Sequence, residues 1–128
     1  MASVTIDNLA AEITLAVQEY TDDVSVAIEH EVDTTAKAVV DELKDKSPKD
    51  SGEYAKGWAS KKDTKGGEYK QIVHNKKKPA LAHLLEFGHV KVNGGWVDGK
   101  PHIRPAYDKH IAGMDARIKK IIKDGGKR

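Results

Sequence analysis

The feature that most constrains this chain is an uninterrupted helical periodicity over residues 6–43. The apolar side chains of this stripe are Ile6, Leu9, Ile13, Val17, Tyr20, Val24, Ile28, Val32, Val39 and Leu43, with Thr35 and Ala36 filling the gap before Val39. Steps of three and four residues match the period of an α-helix and not the two-residue period of a strand. No glycine or proline interrupts the range, and Pro48 ends it. The sequence therefore predicts a long N-terminal helix.

The length of this helix leaves two arrangements open. A helix of about 40 residues is about 60 Å long, whereas a compact domain of this size has a radius of gyration of about 14 Å. The helix must therefore project from the body or break, and Thr21-Asp22-Asp23 is the best place for a break because these are poor helix formers that can cap a second helix. A projecting helix needs a neighbouring subunit to cover its apolar stripe, whereas a broken one folds back on its own body.

After a turn at residues 48–52 the periodicity changes from helix to strand. Residues 54–61 alternate in the manner of a half-exposed strand with Tyr54 and Trp58 on one face. Residues 63–67 form a turn, and residues 68–75 are expected to return as the second strand of a hairpin.

The remaining elements are a short helix, a second hairpin and a terminal helix. The short helix is predicted over Pro79–Phe87 with Gly88 as its stop, and its core-facing residues are expected to be Leu81, Leu84, Leu85 and Phe87. A hairpin over residues 89–97 turns at Asn93-Gly94-Gly95. The last helix is predicted from Pro105 to about Lys123.

The predicted fold class is α+β. It comprises a long N-terminal helix, a small antiparallel sheet of three or four strands, one short helix and a C-terminal helix. We expect residues 1–128 to form a single domain, in which residues 1–47 are a long helix or a helix pair and residues 48–128 are the α+β body.

The composition excludes several classes of protein. The 128 residues include no cysteine, which excludes disulfide frameworks, thiolate catalysis and cysteine-based zinc sites. No signal peptide or membrane span is recognisable, so a protein that works where it is made, without a membrane, is expected. No serine lies in a nucleophile elbow, and no glycine-rich phosphate loop follows a strand.

The net charge of +2 conceals a strong asymmetry. Residues 1–53 carry thirteen acidic and four basic side chains, a net charge of −9, whereas residues 54–128 carry seven acidic and eighteen basic side chains, a net charge of +11. Such polarity favours attraction between unlike halves of neighbouring copies, or contact with a polyanion. The alternative is that a solvated acidic helix simply precedes a basic globule.

One alternative function is that of a small metal-dependent enzyme. It is suggested by the histidine and acidic residues between His83 and His102. His83 and Glu86 would share a helix face, and His89 and His102 would complete the site. The spacing H-x-x-E-x-x-H differs from the zinc signature with histidines at i and i+4, and Gly88 interrupts the helix before His89. A hydrogen-bonded structural pair is the competing interpretation, so the sequence assigns no catalytic, metal or cofactor residue.

A second alternative is an accessory protein that binds DNA without sequence preference. Lys76, Lys77 and Lys78 form the most compact basic run and are the candidate DNA or channel contact. On this alternative, Trp58 and Tyr69 are the aromatic residues expected to stack on bases. No recognised nucleic-acid-binding motif is present, so the sequence predicts non-specific contact with DNA at most.

The order of the elements resembles that of a family of phage morphogenesis proteins, the HK-ninety-seven gene product ten-like family. The most specific matching motifs are the Ser51-Gly52 turn, the Leu85-Glu86-Phe87-Gly88 helix stop and the Ile103-Arg104-Pro105-Ala106 helix entry. Members of this family are minor neck and tail components of long-tailed phages and prophages. The resemblance covers nearly the whole chain, and one departure is His89, where the family usually has threonine.

The resemblance implies a structural protein of the head–tail junction that acts in tail completion or head–tail joining. It implies a ring-forming subunit in the virion, present in the host cytoplasm before assembly, with other neck and tail proteins as partners, and without enzymatic activity or a cofactor. The residues implied to carry the structural motif are Gly52, Glu86, Phe87, Gly88, Arg104, Pro105 and Ala106. We expect Glu86 and Arg104 to be positioning residues, as a pair that ties the short helix to the start of the last one.

Overall fold

The first helix, α1, spans Ile6–Lys46 without a break. The structure is a computed structural model that describes residues 6–49 and 52–126. The 41 residues of α1 correspond to a length of about 60 Å. Of the two arrangements left open, the break at Thr21-Asp22-Asp23 does not occur: the Thr21 hydroxyl donates a hydrogen bond to the Val17 carbonyl at 2.9 Å within the helix and does not cap a new one.

The N-terminal part of α1 projects beyond the rest of the molecule. Every residue from Asn8 to Asp23 is exposed, and the first buried residue of the helix is Ala27. This exposed part includes apolar side chains of the predicted stripe, such as Ile13 and Val17, which are 54% and 59% exposed. The helix therefore takes the first of the two arrangements, in which the stripe extends past the body.

The last helix, α4, spans Ile103–Lys123 and packs antiparallel against α1 between Tyr20 and Glu42. At one end Lys109 donates a hydrogen bond to Glu42 at 2.9 Å. At the other end the Tyr20 hydroxyl donates to the Ile122 carbonyl at 2.6 Å. Because α4 ends at the level of Tyr20, the preceding residues of α1 have no helical neighbour among residues 6–49 and 52–126.

The four strands form two separate antiparallel ladders instead of one sheet. Strand β1 (Trp58–Asp63) pairs with β2 (Lys70–Asn75), with Trp58 opposite Asn75. Strand β3 (Gly88–Val90) pairs with β4 (Trp96–Asp98). Both predicted hairpins and the α+β class are thus confirmed, and the strands of the second ladder do not join the first.

The first predicted strand begins later than expected. Residues Glu53–Lys56 form a single helical turn, α2, closed by a hydrogen bond from the Lys56 amide to the Gly52 carbonyl at 3.1 Å. Tyr54 therefore lies on a helical turn and not on a strand. The spacing of Tyr54 and Trp58 satisfies both interpretations, because residues i and i+4 share a helix face just as alternate residues share a strand face.

The first hairpin is fastened to α1 through Asp33. The carboxylate accepts hydrogen bonds from the Tyr69 hydroxyl at 2.5 Å and from the Gln71 amide at 2.6 Å. The bond from Tyr69 is the main reason that the pKa of Asp33 lies below its ordinary value. These contacts hold β2 alongside the middle of α1.

The core lies where the C-terminal half of α1 meets α2, β1 and α4. Its buried apolar residues are Val39, Val40, Leu43, Tyr54, Trp58 and Ala106, with Val73, Ala82, Leu85 and Ile103 packed against them. Only α1 contributes three aliphatic side chains to this cluster. The long helix therefore serves both as the wall of the core and as the projecting rod.

The short helix α3 spans Ala82–Phe87 and follows a 3₁₀ turn over Pro79–Leu81. The expectation that Phe87 faces the core is wrong, since its side chain is 74% exposed. Glu86 takes the inward position, and the next residue lies about 100° further round the helix and points outward. Of the predicted apolar face, Leu85 packs against the core, whereas Leu81 is exposed.

Within residues 6–49 and 52–126, no helix is both long enough and apolar enough to cross a membrane. The long helix α1 carries its apolar residues as a stripe among exposed acidic ones. This pattern is that of a helix that packs on one face.

Candidate functional site

The contacts of Glu86 form the centre of the sequence-predicted site. Its Oε1 atom accepts hydrogen bonds from the backbone amides of His102 at 2.7 Å and Ile103 at 2.8 Å, and its Oε2 atom accepts one from the Arg104 amide at 3.0 Å. The first amides of a helix have no partner within the helix. Glu86 therefore caps α4 from a different helix, and its negative charge lies at the positive end of the α4 dipole.

Burial and hydrogen bonding act on the Glu86 carboxylate in opposite directions. The side chain is only 5% exposed, and burial alone raises the pKa of a carboxyl group. The three backbone hydrogen bonds and the nearby His102 ring together outweigh burial, so the pKa of Glu86 lies below its ordinary value. The cap is therefore charged at neutral pH.

His102 links this cap to the aromatic core. The His102 Nδ1 atom lies 2.7 Å from the Lys100 carbonyl, and its Nε2 atom lies 2.7 Å from the Tyr54 hydroxyl. Since a carbonyl only accepts hydrogen bonds, Nδ1 carries a proton, and in the neutral ring Nε2 accepts from Tyr54. The rings of Tyr54 and Trp58 meet edge to face with centroids 5.4 Å apart, and Trp58 donates to the Ser47 hydroxyl at 2.7 Å.

The environment of Tyr54 disfavours its ionised form. Burial is the main cause and the charge of Glu86 is the second, and together they raise the pKa of Tyr54 to about 12. The hydroxyl thus stays protonated and remains a donor to His102. This chain of contacts was not predicted from the sequence, although the four-residue spacing of Tyr54 and Trp58 is a pattern that indicates a shared aromatic face.

Two glycines allow the second hairpin to fold against α3. Gly88 has φ +89°, and a Cβ atom there would lie 2.5 Å from the Val97 carbonyl oxygen. A Cβ atom on Gly99 would lie 2.5 Å from the Glu86 carbonyl oxygen. This close approach brings the Lys100 amide within 2.7 Å of the Leu85 carbonyl and returns the chain to Glu86.

The other predicted motif residues lie around the start of α4. The Arg104 side chain is exposed and pairs with Asp108 at 3.2 Å, so only its backbone amide contacts Glu86. Pro105 lies in the first turn of α4, where its missing amide costs least. Ala106 is fully buried in the core.

The first predicted motif lies at the turn between α1 and α2. Gly52 takes a left-handed conformation with φ +85° directly before α2. Ser51, the other residue of that motif, lies outside the described residues. Gly52 is thus separate from the Glu86 cap, and it positions the helical turn that carries Tyr54.

The histidines of the alternative metal site lie in different environments. His83 is exposed, whereas His102 is buried and its ring nitrogens face Tyr54 and Lys100. The Nδ1 atom of His89 is buried and has no hydrogen-bond partner within the described part of the chain. Both oxygens of Glu86 are occupied by backbone amides, and among residues 6–49 and 52–126 no group of three or more acidic or histidine side chains is arranged to hold a metal ion.

The basic run lies in the exposed loop between β2 and α3. Asn75, which is buried, accepts hydrogen bonds from the amides of Lys77 at 3.1 Å and Lys78 at 2.9 Å. The side chains of Lys76, Lys77 and Lys78 are exposed, and Lys78 lies 3.6 Å from Glu53. The loop backbone is therefore fixed while its charges face solvent.

Exposed apolar residues also occur at the second hairpin. Phe87, Val90, Val92 and Trp96 are 74%, 69%, 103% and 55% exposed. Val90 lies opposite Trp96 in the β3–β4 ladder, and exposed apolar side chains that cluster on a small protein mark an interaction site. We call these four residues the hairpin patch.

The family model described as "Bacteriophage HK97-gp10, putative tail-component" matches residues 11–88, which is more than half of the chain. The matched range includes the exposed part of α1 from residue 11 onwards, the first hairpin, Glu86 and Gly88, and it ends before Arg104. No curated protein and no solved structure matches this chain.

Replacing Glu86 with glutamine tests the cap. The variant loses the charge and one acceptor oxygen, so we expect the free energy of unfolding to fall by about 1.5–3 kcal/mol at pH 7. A carboxyl group whose folded pKa is depressed stabilises above its unfolded pKa, and this stability is lost as the pH falls through the folded pKa. Urea unfolding should therefore show that the free energy of unfolding falls less between pH 7 and pH 3 for E86Q than for the wild type.

Arg104→Ala is the matched control for this cap. Because the Arg104 side chain contacts Asp108 on the surface, R104A should change stability by less than about 1 kcal/mol. The effects of E86Q and R104A should be additive in a double-mutant cycle. A coupling energy above about 1 kcal/mol would show that the guanidinium, and not the backbone amide, forms the tie.

Replacing Tyr54 with phenylalanine tests the buried hydroxyl. The folded pKa of Tyr54 is raised above its ordinary value of 10.0 to about 12, so its stabilising contribution is complete below pH 10 and is lost as the pH rises towards 12. We expect the free energy of unfolding of Y54F to be about 1 kcal/mol lower than that of the wild type at pH 7. Between pH 10 and pH 12, Y54F should lose less further stability than the wild type does. Y107F, at an exposed tyrosine, is the control in the same urea titrations. If Y54F and Y107F lost equal amounts of stability between pH 10 and pH 12, the Tyr54 hydroxyl would not be the group that titrates in this range.

Proposed function

Because this chain belongs to the family of HK97-gp10-like phage tail components, we propose that it is a structural subunit of the head–tail junction. In this role it acts in tail completion or in joining the tail to the capsid, and it assembles as a ring. The observation that supports this proposal best is the unbroken helix α1, whose N-terminal part carries an uncovered apolar stripe. A single copy leaves this surface in water, whereas neighbouring subunits can cover it.

The charge distribution supports an assembly of copies placed head to tail. Residues 1–53 have a net charge of −9 and residues 54–128 a net charge of +11, so unlike halves of adjacent copies attract each other. A contact between two different surfaces is heterologous, and a heterologous contact closes into a ring when its rotation permits. This arrangement suits a subunit that surrounds a channel for DNA.

The hairpin patch is our candidate contact for another neck or tail protein. Its residues belong to α3 and the second hairpin, whereas the exposed stripe belongs to α1, and Val92 is fully exposed at the turn. Aromatic anchors such as Phe87 and Trp96 are typical of protein interfaces. Two separate apolar surfaces allow one to contact a second copy and the other to contact a different protein.

In the proposed role the protein performs no catalysis. The two residues that most resemble an acid/base pair, Glu86 and His102, are buried and bonded to backbone groups and to Tyr54. Their contacts maintain the fold and leave no polar atom aimed at an open cleft. We therefore assign the protein to the virion, at the head–tail junction, and to the host cytoplasm before assembly.

The proposed function predicts the phenotype of a phage that lacks this protein. Without it, filled heads and tails should accumulate unjoined, because the subunits that complete the junction are missing. Expression of the wild-type chain from a plasmid should restore joined particles that contain it, as seen by electron microscopy and mass spectrometry of purified particles.

His83→Ala is the control that separates this role from the enzyme alternative. His83 is exposed and belongs to the alternative metal site, so H83A should complement as well as the wild type if the role is structural. Joined particles in the absence of the protein, or its absence from particles, would refute the proposed function.

We also propose that the loop of Lys76, Lys77 and Lys78 contacts passing DNA without sequence preference. Each lysine that neutralises a phosphate contributes about 0.9 to the slope of log affinity against log salt. The triple alanine variant should therefore lower the magnitude of this slope by up to about 3 in titrations of duplex DNA. The control removes Lys119, Lys120 and Lys123 at the end of α4, and an equal reduction by both variants would contradict a contact specific to the loop.

A further inference from the structure

We propose that the projecting part of α1 docks into an apolar groove of a second copy of this chain. The docking face is the N-terminal stripe, which we define as Leu9, Ile13 and Val17. These side chains are 49%, 54% and 59% exposed and lie on one helix face at four-residue steps. The proposal rests on the proposed function, since it names the contact between subunits of the proposed ring.

The receiving surface is an open groove of about 900 Å³ between α1, β2 and α4. We call it the central groove. Its apolar lining includes Val32 and Ala36 from α1, Ile72 from β2, and Tyr107, Ile111 and Met114 from α4. The exposed fractions of Ile72 and Tyr107, 37% and 52%, show that the groove is not filled within one copy.

The stripe cannot fill the groove of its own chain. The groove wall begins at Val32, and Val17 lies fifteen residues earlier on the same unbroken helix. This separation corresponds to about 22 Å along one rigid axis. A helix cannot form the wall of a groove and also fold back into it without breaking, so a stripe that enters this groove must belong to another chain.

The charges around the two surfaces are complementary. Residues 6–29 carry six acidic side chains and no lysine or arginine, whereas residues 58–78, which include the β1–β2 hairpin beside the groove, carry seven lysines and two acidic side chains. Lys70 itself lines the groove. A docked helix would thus place its acidic flanks next to a basic rim, whereas two N-terminal stripes that paired with each other would bring like charges together.

The two surfaces also require a head-to-tail geometry. Every copy carries one N-terminal stripe and one central groove, and the contact uses a different surface on each side. Such a contact leaves a free stripe at one end and a free groove at the other until the assembly closes. The docking therefore generates a ring from a single type of contact.

Disulfide trapping tests the docking directly, because the chain contains no cysteine. Copies with Ile13→Cys are mixed at high concentration with copies of a second variant, which carries Ile72→Cys, Ile111→Cys or Met114→Cys, and are oxidised mildly. A disulfide forms only where Cα atoms approach within about 7 Å, so we expect a mixed dimer with at least one groove variant. Leu15→Cys, on the opposite helix face, is the control and should give none.

Each result of the trapping experiment is decisive. A mixed dimer between I13C and a groove variant, absent with L15C, supports the docking. Dimers of I13C with itself as the main product would show that stripes pair with each other and would overturn the proposal. No mixed dimer with any of the three groove variants, at concentrations where the wild type is oligomeric, would overturn it as well.

The mass of the assembly in solution gives an independent measurement. I13E/V17E places charges on the stripe and should shift the wild-type oligomer to the monomer mass with unchanged helical content. L15E/V26E introduces the same charges at residues that are 57% exposed on the other face and should leave the mass unchanged. A wild-type chain that is monomeric at the highest attainable concentration would overturn the docking.

Trapping in phage particles separates this proposal from the proposed function. If the wild-type chain is present in joined particles but I13C and the groove variants do not cross-link there, the docking is wrong and the structural role stands. If the chain is absent from particles, the proposed function fails, while cross-linking of the purified protein still decides whether copies dock in this way.

Discussion

The Glu86 carboxylate at the start of α4 is the interaction on which the rest of the body depends. A buried charge is costly unless it is fully hydrogen-bonded, and here three backbone amides satisfy it. Because those amides belong to the first turn of α4, the bonds fix the position of that helix relative to α3. Ile103 and Ala106 follow directly and enter the core. The cap therefore positions the helix that forms one wall of the central groove.

Directional contacts carry this constraint from the cap to α1. His102, whose amide binds Glu86, accepts a hydrogen bond from Tyr54, and the neighbouring Trp58 donates one to Ser47 just after α1 ends. The core contains few large apolar side chains, so packing alone leaves its geometry less strictly defined. Hydrogen bonds with fixed directions and edge-to-face rings supply that definition. The body and the projecting rod are thereby held as one unit.

Local patterns predicted the elements of this fold, whereas tertiary contacts decided what they do. The apolar period predicted the bounds of α1 within a few residues, because helix periodicity is a pattern of residues that are close together in the sequence. It did not show that Thr21 would bond within the helix, since a threonine can cap or continue a helix with the same side chain. Tyr54 satisfied both a strand and a helical turn. Glu86 was identified by its motif, but its partners are backbone amides at least sixteen residues away. Because nearly every residue has a backbone amide, no residue type in the sequence marks these partners.

The direction of α1 controls what the proposed contact can build. Since α1 is one rigid helix from the core to its N-terminus, the angle at which the core holds its C-terminal half also sets where the N-terminal stripe points about 40 Å away. In a head-to-tail assembly that angle repeats at every subunit and determines whether the series closes into a ring or continues as a filament. The contacts of Ser47, Trp58 and His102 at the base of the rod are therefore remote from the interface and yet determine its closure. A flexible break at Thr21 would remove this control, which gives the uninterrupted helix a physical reason in a ring-forming subunit.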